Sequence, residues 1–151
     1  MRAVIQRTLK KATVEVEKKI VGEIDKGLVV YLGVEQEDTI QDIIWLANKI
    51  KAMRIFSDQE GKMNLSLDDI GGSILLISQF TLFASTKKGN RPSFLRSAKP
   101  DLANLMYEQT INYMTKDLGI NVSTGVFGAD MKVEYTNDGP VTIIIDSKNK
   151  E

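Results

Sequence analysis

Three polar side chains interrupt the apolar run ISQFTLF: Ser78, Gln79 and Thr81. Read as a strand, the segment puts Gln79 and Thr81 on one face and Ser78 and Phe80 on the other. A hydroxyl and an amide pointing the same way can hold a water or a carbonyl oxygen; the plainer reading is cross-strand hydrogen bonding on a half-wet face. The rest of the composition narrows what such groups can do. The 151 residues include no histidine and no cysteine. The usual general base, the commonest transition-metal ligand, the thiolate nucleophile and the disulfide are therefore all excluded. Any reaction must run on hydroxyls, amides, carboxylates, backbone groups or the substrate itself. The acidic stretches GVEQED and SDQEG lack metal-ligand spacing, so neither a metal nor another cofactor is expected.

Two further stretches stand out. Residues 86–100, TKKGNRPSFLRSAKP, carry Lys87, Lys88, Arg91, Arg96 and Lys99 with no acid, although the net charge of the whole chain is zero. Cations around an isolated aromatic, Phe94, can meet a phosphate backbone and stack on a base; the alternative is a solvated loop with Phe94 tucked onto the core. Near the end of the chain, TNDGPVTIIID sets turn residues before a buried strand. Asn137, Asp138 and Gly139 suffice for a turn, so the rigid Pro140, which also deletes a backbone donor, asks for another explanation.

The elements that must position these residues are legible from periodicity. MRAVIQR and ATVEVE alternate apolar and polar with period two, with Ala12, Val14 and Val16 on one face, and a short connection at Lys18-Lys19 then leads into IVGEI as a hairpin. GLVVYLGV is continuously apolar and suits a strand buried on both sides. Thr39 and Asp42 form a capping box before a helical face of Ile40, Ile43, Ile44, Ala47 and Ile50. Residues 71–84 read as one long strand opened by two glycines. A second helix is expected over about residues 101–118, entered at Pro100 and stopped at Gly119, with Leu102, Leu105, Met106, Gln109 and Tyr113 along one side. Short strands at RIF, INVST and MKVEYT complete the pattern. Strands, helix, strands, helix, strands predict an α+β domain: a mainly antiparallel sheet or half-open β-barrel with two helices packed on it. Residues 1–146 form that single domain, and residues 147–151 read as a frayed tail. A chain of this size buries about 68–70% of its unfolded surface without a staple. No apolar run approaches the ~18–20 residues of a membrane span and the start is too polar for a signal peptide, so the expectation is a soluble, cytoplasmic protein.

SQFTL (residues 78–82) and NDGPVT (residues 137–142) together resemble the paired signatures Ser-Gln-x-x-Leu and Asn-x-Gly-Pro-x-Thr of the D-aminoacyl-tRNA deacylases, with every fixed position filled. The likeness extends to MRAVIQR, GKMNLSL, RPSF and TGVFGADM, in the family's order, and so spans essentially the whole chain. It implies a cytoplasmic homodimer that hydrolyses the ester joining a D-amino acid to the terminal ribose of tRNA. It implies that Ser78, Gln79, Phe80 and Thr81 are the catalytic residues. It implies a cis Gly139-Pro140 pair that enters the partner's pocket as the chirality filter, with Arg7 fixing that loop. Only about 5–6% of X-Pro bonds in folded proteins are cis, so this expectation belongs to the resemblance alone. Lys87, Lys88, Arg91 and Arg96 become expected contacts to tRNA. Glycyl-tRNA, which has no side chain to exclude, is an expected substrate as well, and the absent histidine suits catalysis assisted by the ribose 2′-OH.

Overall fold

A computed structural model describes residues 1–150. Its centre is a five-stranded sheet built around two strands that are buried on both faces. Strand β1 (Arg2–Thr8) alternates as the sequence requires, with Ala3 and Ile5 fully buried. The hairpin of β2 (Ala12–Val16) and β3 (Lys19–Ile24) turns at Glu17 and Lys18, both in the left-handed region with φ of 50° and 64°. Strand β4 (Gly27–Gly33) runs antiparallel to β1, Arg2 opposite Gly33 and Thr8 opposite Gly27. It begins at a close approach: a Cβ on Gly27, whose φ is +137°, would sit 2.0 Å from the Ser73 carbonyl oxygen, so only glycine fits.

Helix α1 (Ile40–Ala52) follows, its first turn closed by the Thr39 N–H donating to Asp42 Oδ2 at 2.7 Å. Ile43, Leu46, Ala47 and Ile50 are buried, whereas Ile40 is exposed. The small pair β5 (Phe56–Ser57) and β6 (Met63–Leu65) forms an outlying hairpin. Strand β7 (Ser73–Ser78) then lies parallel to β4, and β8 (Val122–Thr124) parallel to β7. Parallel neighbours need long crossovers; α1 lies in the first and helix α2 (Pro100–Asn112) in the second. Strand β9 (Lys132–Glu134) pairs with β2, and β10 (Thr142–Asp146) closes the edge of the large sheet against β1. The orders are β10-β1-β4-β7-β8 and β3-β2-β9. Among the described residues five of the seven strand pairings are antiparallel, and two helices pack on one side, the α+β class expected.

Because successive strand residues face opposite ways, the central strands feed two cores. Leu28, Val30, Leu32, Ile74 and Leu76 meet the buried residues of both helices, while Val29, Leu75 and Ile77 meet Ala12, Val14 and Ile24 of the smaller sheet.

Three expectations are corrected. The strand read over residues 71–84 ends at Ser78: the Gln79 N–H makes the last bond to the Leu32 carbonyl at 2.8 Å, and residues 80–83 coil into a tight helical turn anchored by buried Phe83. The second helix begins at Pro100 as expected, but it widens into a π-helical turn over Tyr113–Asp117, with Leu118 N bonded to Tyr113 O at 3.1 Å, before Gly119 at φ +67°. Its buried side is Ala103, Met106, Tyr107, Thr110 and Met114, leaving Leu105 exposed. Nor is the tail frayed throughout. Ser147 is buried, donating to Asp42 Oδ1 at 2.6 Å and accepting from the Met1 amino group at 2.7 Å. Lys148 Nζ reaches Asp42 Oδ2 at 2.9 Å. Residue 151 lies outside the described residues.

Candidate active site

Where β7 stops, the SQFTL segment becomes the rim of a cavity of about 580 Å³. Ser78, Gln79 and Phe80 line it from the turn, and Thr81 stands exposed just beyond them. The remaining walls come from afar: Tyr31 and Leu32 of β4, Ala103 and Tyr107 of α2, and Phe127, Met131 and Val133 from the segment around β9. They are predominantly apolar, as ligand pockets usually are. At the mouth, half-exposed Phe80 meets Phe94 edge to face, with ring centroids 5.0 Å apart. Phe94 is therefore not tucked into the core; it extends the rim. Ser97 Oγ donates to the Phe80 carbonyl at 2.8 Å and Ala98 N to Val34 O at 2.9 Å, which holds the end of the basic segment beside the turn.

The coiling of residues 80–83 overturns the strand alternation read from the sequence, yet brings Gln79 and Thr81 together by another route. Gln79 Nε2 donates to Thr81 Oγ1 at 2.5 Å. The Thr81 hydroxyl hydrogen is thus left to be donated elsewhere. No carboxylate, amine or imidazole touches that hydroxyl among the described residues, so nothing activates it as a nucleophile. The phenols at the cavity supply no base either. Burial pushes both Tyr107 and Tyr31 well above the ordinary phenol range, reinforced by Glu108 at Tyr107 and by the hydrogen bond with Tyr135 at Tyr31. Of the backbone donors in the turn, the Gln79 N–H is consumed by Leu32. The Phe80 and Thr81 N–H groups precede the first internal bonds of the helical turn and take no partner among the described residues. Two unpaired amides on consecutive residues can serve a developing oxyanion.

The basic segment is a closed loop. Ser85 and Ser93 exchange backbone bonds of 2.8 and 2.9 Å, and Lys87, Lys88 and Arg91 project from the loop between them, exposed and outside any ion pair among the described residues. Arg96 differs: both its Nε and Nη2 hold Glu35 Oε1, at 3.0 and 2.8 Å, and its guanidinium lies over the Phe83 ring.

The NDGPVT loop lies elsewhere. The Gly139-Pro140 peptide is cis. Arg7 is buried and clamps the loop, its Nη2 on Asp138 Oδ2 at 2.9 Å and its Nε on the Asp138 carbonyl at 3.2 Å, with Nη1 on Ile55 O at 2.7 Å. Asn137 Oδ1 accepts the Val141 N–H at 3.1 Å, closing the loop on itself. Gly139 has φ +122°, and a Cβ there would lie 2.8 Å from Val141 Cγ2 and 3.1 Å from Arg7 Nη2. Register places this loop at the far end of the sheet from the cavity. Leu32, beside the turn, pairs with Ala3, whereas Arg7 pairs with Leu28; four residues at about 3.3 Å each separate the two by about 13 Å along the strands. No residue of the loop lines the cavity of its own chain.

The family model described as D-Tyr-tRNA(Tyr) deacylase matches residues 4–146. The chain belongs to that family. It is 58% identical over 149 residues to the D-aminoacyl-tRNA deacylase of Fusobacterium nucleatum, covering 99% of this chain and 97% of that one. With the D-aminoacyl-tRNA deacylase of Flavobacterium johnsoniae it shares 54% identity over the full length of both. Among solved structures, a c-Myc DNA unwinding element binding protein superposes with a TM-score of 0.89 at 36% identity, over 97% of this chain and 98% of that one. A probable eukaryotic D-amino acid tRNA deacylase shares the fold at TM-score 0.80 and 17% identity, over 95% and 98%. Membership makes the chain a hydrolase, and no helix among the described residues is long and apolar enough to cross a membrane.

Of the residues singled out in the sequence, Ser78, Gln79 and Phe80 gather at the cavity with Phe94, and Arg7 joins Gly139 and Pro140 in a separate loop. Sequence reasoning missed Tyr31, Tyr107 and Met131 as walls. Tyr31 and Tyr107 gave no signal beyond the apolar character they share with core residues, and Met131 only its place at the end of TGVFGADM.

Proposed function

We propose that the chain hydrolyses the ester bond of D-aminoacyl-tRNA, releasing the D-amino acid and tRNA, and that it spares L-aminoacyl-tRNA by steric exclusion at Gly139-Pro140. The observation that carries this reading is the make-up of the SQFTL turn: two amides unpartnered among the described residues and a positioned hydroxyl beside an apolar cavity, with no base in reach among them. An aminoacyl ester is already reactive, so positioning and oxyanion stabilisation suffice. The neighbouring ribose 2′-OH activates water or stabilises the oxyanion in place of a histidine, and Thr81 positions rather than attacks.

D and L isomers exchange hydrogen and side chain at one carbon, so discrimination needs a fixed wall close to that carbon. A clash against the wrong isomer discriminates more sharply than added contacts to the right one. Arg7, Asp138 and Asn137 hold the backbone that would form this wall. A loop about 13 Å along the strands from its own cavity suits the partner's cavity in a homodimer better than its own. Exposed Lys87, Lys88 and Arg91 are the best placed cations for tRNA phosphates, whereas Arg96, tied to Glu35, serves mainly to hold the turn. Contacts to backbone and a universal 3′ end imply little dependence on tRNA sequence.

The test is deacylation of D-tyrosyl-tRNA, L-tyrosyl-tRNA and glycyl-tRNA side by side. The D and glycyl forms should be cleaved and the L form spared. Equal cleavage of D and L would leave a hydrolase without a filter, and resistance of glycyl-tRNA would count against pure exclusion. Tight tRNA binding with no turnover would favour a non-catalytic RNA-binding protein, while strong activity on free D-amino acid esters would remove tRNA from the argument.

A further inference from the structure

A line of polar groups runs from the cavity wall, where it lies against apolar side chains, to the exposed Gly139-Pro140 loop. Tyr31, on β4, lines the cavity. Its hydroxyl lies 3.1 Å from that of Tyr135, which in turn donates to Gln6 Oε1 on β1. Gln6 Nε2 donates to Thr142 Oγ1 at 3.0 Å, and the same oxygen accepts from Asn137 Nδ2 at 2.9 Å. Asn137 and Thr142 bracket the loop, and the Asn137 side-chain oxygen holds the Val141 N–H.

The donors are ordered. Because Gln6 presents its oxygen to Tyr135, Tyr135 must give up its proton there and accept from Tyr31. Tyr31 can sustain that role at any physiological pH, since burial raises its pKa above the usual phenol value. Both rings pack on the cluster of Val29, Leu75 and Ile77 with Met131 and Val133, where phenylalanine would fill the same space. The hydroxyls therefore contribute direction rather than bulk.

We propose that Tyr135 is a positioning residue, the central link of a Tyr31–Tyr135–Gln6–Thr142 chain that fixes the loop carrying Gly139-Pro140 relative to the cavity. The inference rests on the reading of that loop as the chirality filter. In a dimer that exchanges these loops, the chain ties the wall each subunit lends to the pocket it keeps. Substitution of Tyr135 should loosen the wall without touching the SQFTL turn.

The experiment compares Tyr135→Phe and Tyr31→Phe with the unaltered protein by two readouts. The first is kcat/KM on D-tyrosyl-tRNA and L-tyrosyl-tRNA. Both variants should lose about tenfold in D-over-L selectivity, chiefly through faster cleavage of the L form, the size expected for one misplaced hydrogen bond. The second is amide hydrogen exchange, which needs no substrate: the Val141 and Asp138 amides should exchange faster, with those of Ile5 and Leu76 unchanged. Unaltered selectivity in both variants of a discriminating enzyme would overturn the proposal, as would unaltered exchange at Val141 and Asp138. Should Tyr135→Phe not fold, Tyr31→Phe, which removes only the outermost link, decides alone. If the unaltered protein does not discriminate D from L, the filter reading fails, and the exchange data still decide whether the chain holds the loop.

Discussion

At the scale of single residues, the proposed chemistry can be tested at Thr81. Its hydroxyl accepts from Gln79 Nε2 and meets no base among the described residues. Loss of the hydroxyl should therefore reduce positioning, not abolish the reaction: Thr81→Val is expected to keep kcat within about tenfold, some 1.4 kcal/mol of barrier. If the ribose 2′-OH moves the proton, a D-aminoacyl-tRNA ending in 2′-deoxyadenosine should lose about a hundredfold or more. Single-turnover rates measured on both would decide the roles, and the reverse ranking would restore Thr81 as nucleophile. Arg7 illustrates a different residue-scale effect. Buried and bonded to three acceptors, it holds a loop that no local sequence preference would fix in place.

At the scale of elements, the basic loop and the first turn of α1 make separate predictions. The loop closed by Ser85 and Ser93 displays Lys87, Lys88 and Arg91 to solvent. Replacing all three by alanine should raise KM for D-aminoacyl-tRNA with little change in kcat. The slope of log affinity against log salt should become shallower by about 2, at ~0.7 for each single-strand phosphate that the protein no longer neutralises. Titrating tRNA binding against salt tests this. In α1, burial opposes the charge of Asp42, but hydrogen bonds from Ser147, Lys148 and Thr39 outweigh it and hold the carboxyl well below the usual range. A carboxyl with a depressed folded pKa stabilises fully above its unfolded pKa of about 3.9, and the contribution disappears as pH falls towards the folded value. Thermal melts should therefore show Tm dropping below about pH 5. Asp42→Asn should lose about 1–3 kcal/mol at neutral pH and show a shallower acid dependence. Asp146 and Asp69, also held low, keep that dependence from vanishing.

At the scale of the whole molecule, the separation of the Gly139-Pro140 loop from its own cavity is the dominant fact. If the filter acts across subunits, discrimination depends on association. Dilution through the dimer–monomer transition, followed by sedimentation, should lower D-over-L selectivity in step with the dimer fraction. Selectivity that survives in the monomer would mean that the loop acts within its own chain.

Much of this architecture was legible in the residues. GLVVYLGV announced a strand buried on both faces, because an unbroken apolar run has no wet side to offer. Thr39 and Asp42 marked the start of α1, since a capping box is a local interaction. The absence of histidine and cysteine fixed the style of chemistry before any fold was known, and the two signatures named the family. What failed depended on neighbours distant in sequence. SQFTLF read as strand because its apolar spacing fits one, but the chain coils after Ser78, where the sheet offers no bond beyond Leu32 and Phe83 finds a buried seat under Arg2 and Arg96. The buried side of α2 is set by the sheet beneath it, so Tyr107, whose hydroxyl reaches the Leu76 carbonyl at 2.7 Å, went inside in place of Leu105. The tail was held by Asp42, a residue more than a hundred positions away. The sequence by itself determined most of the longer strands and both helices, the family and the kind of catalysis open to the chain, because composition and local periodicity are properties of the chain alone. Only the tertiary structure decided which side chains wall the cavity and that the Gly139-Pro140 loop lies apart from it, because those are distances between segments that only packing brings together.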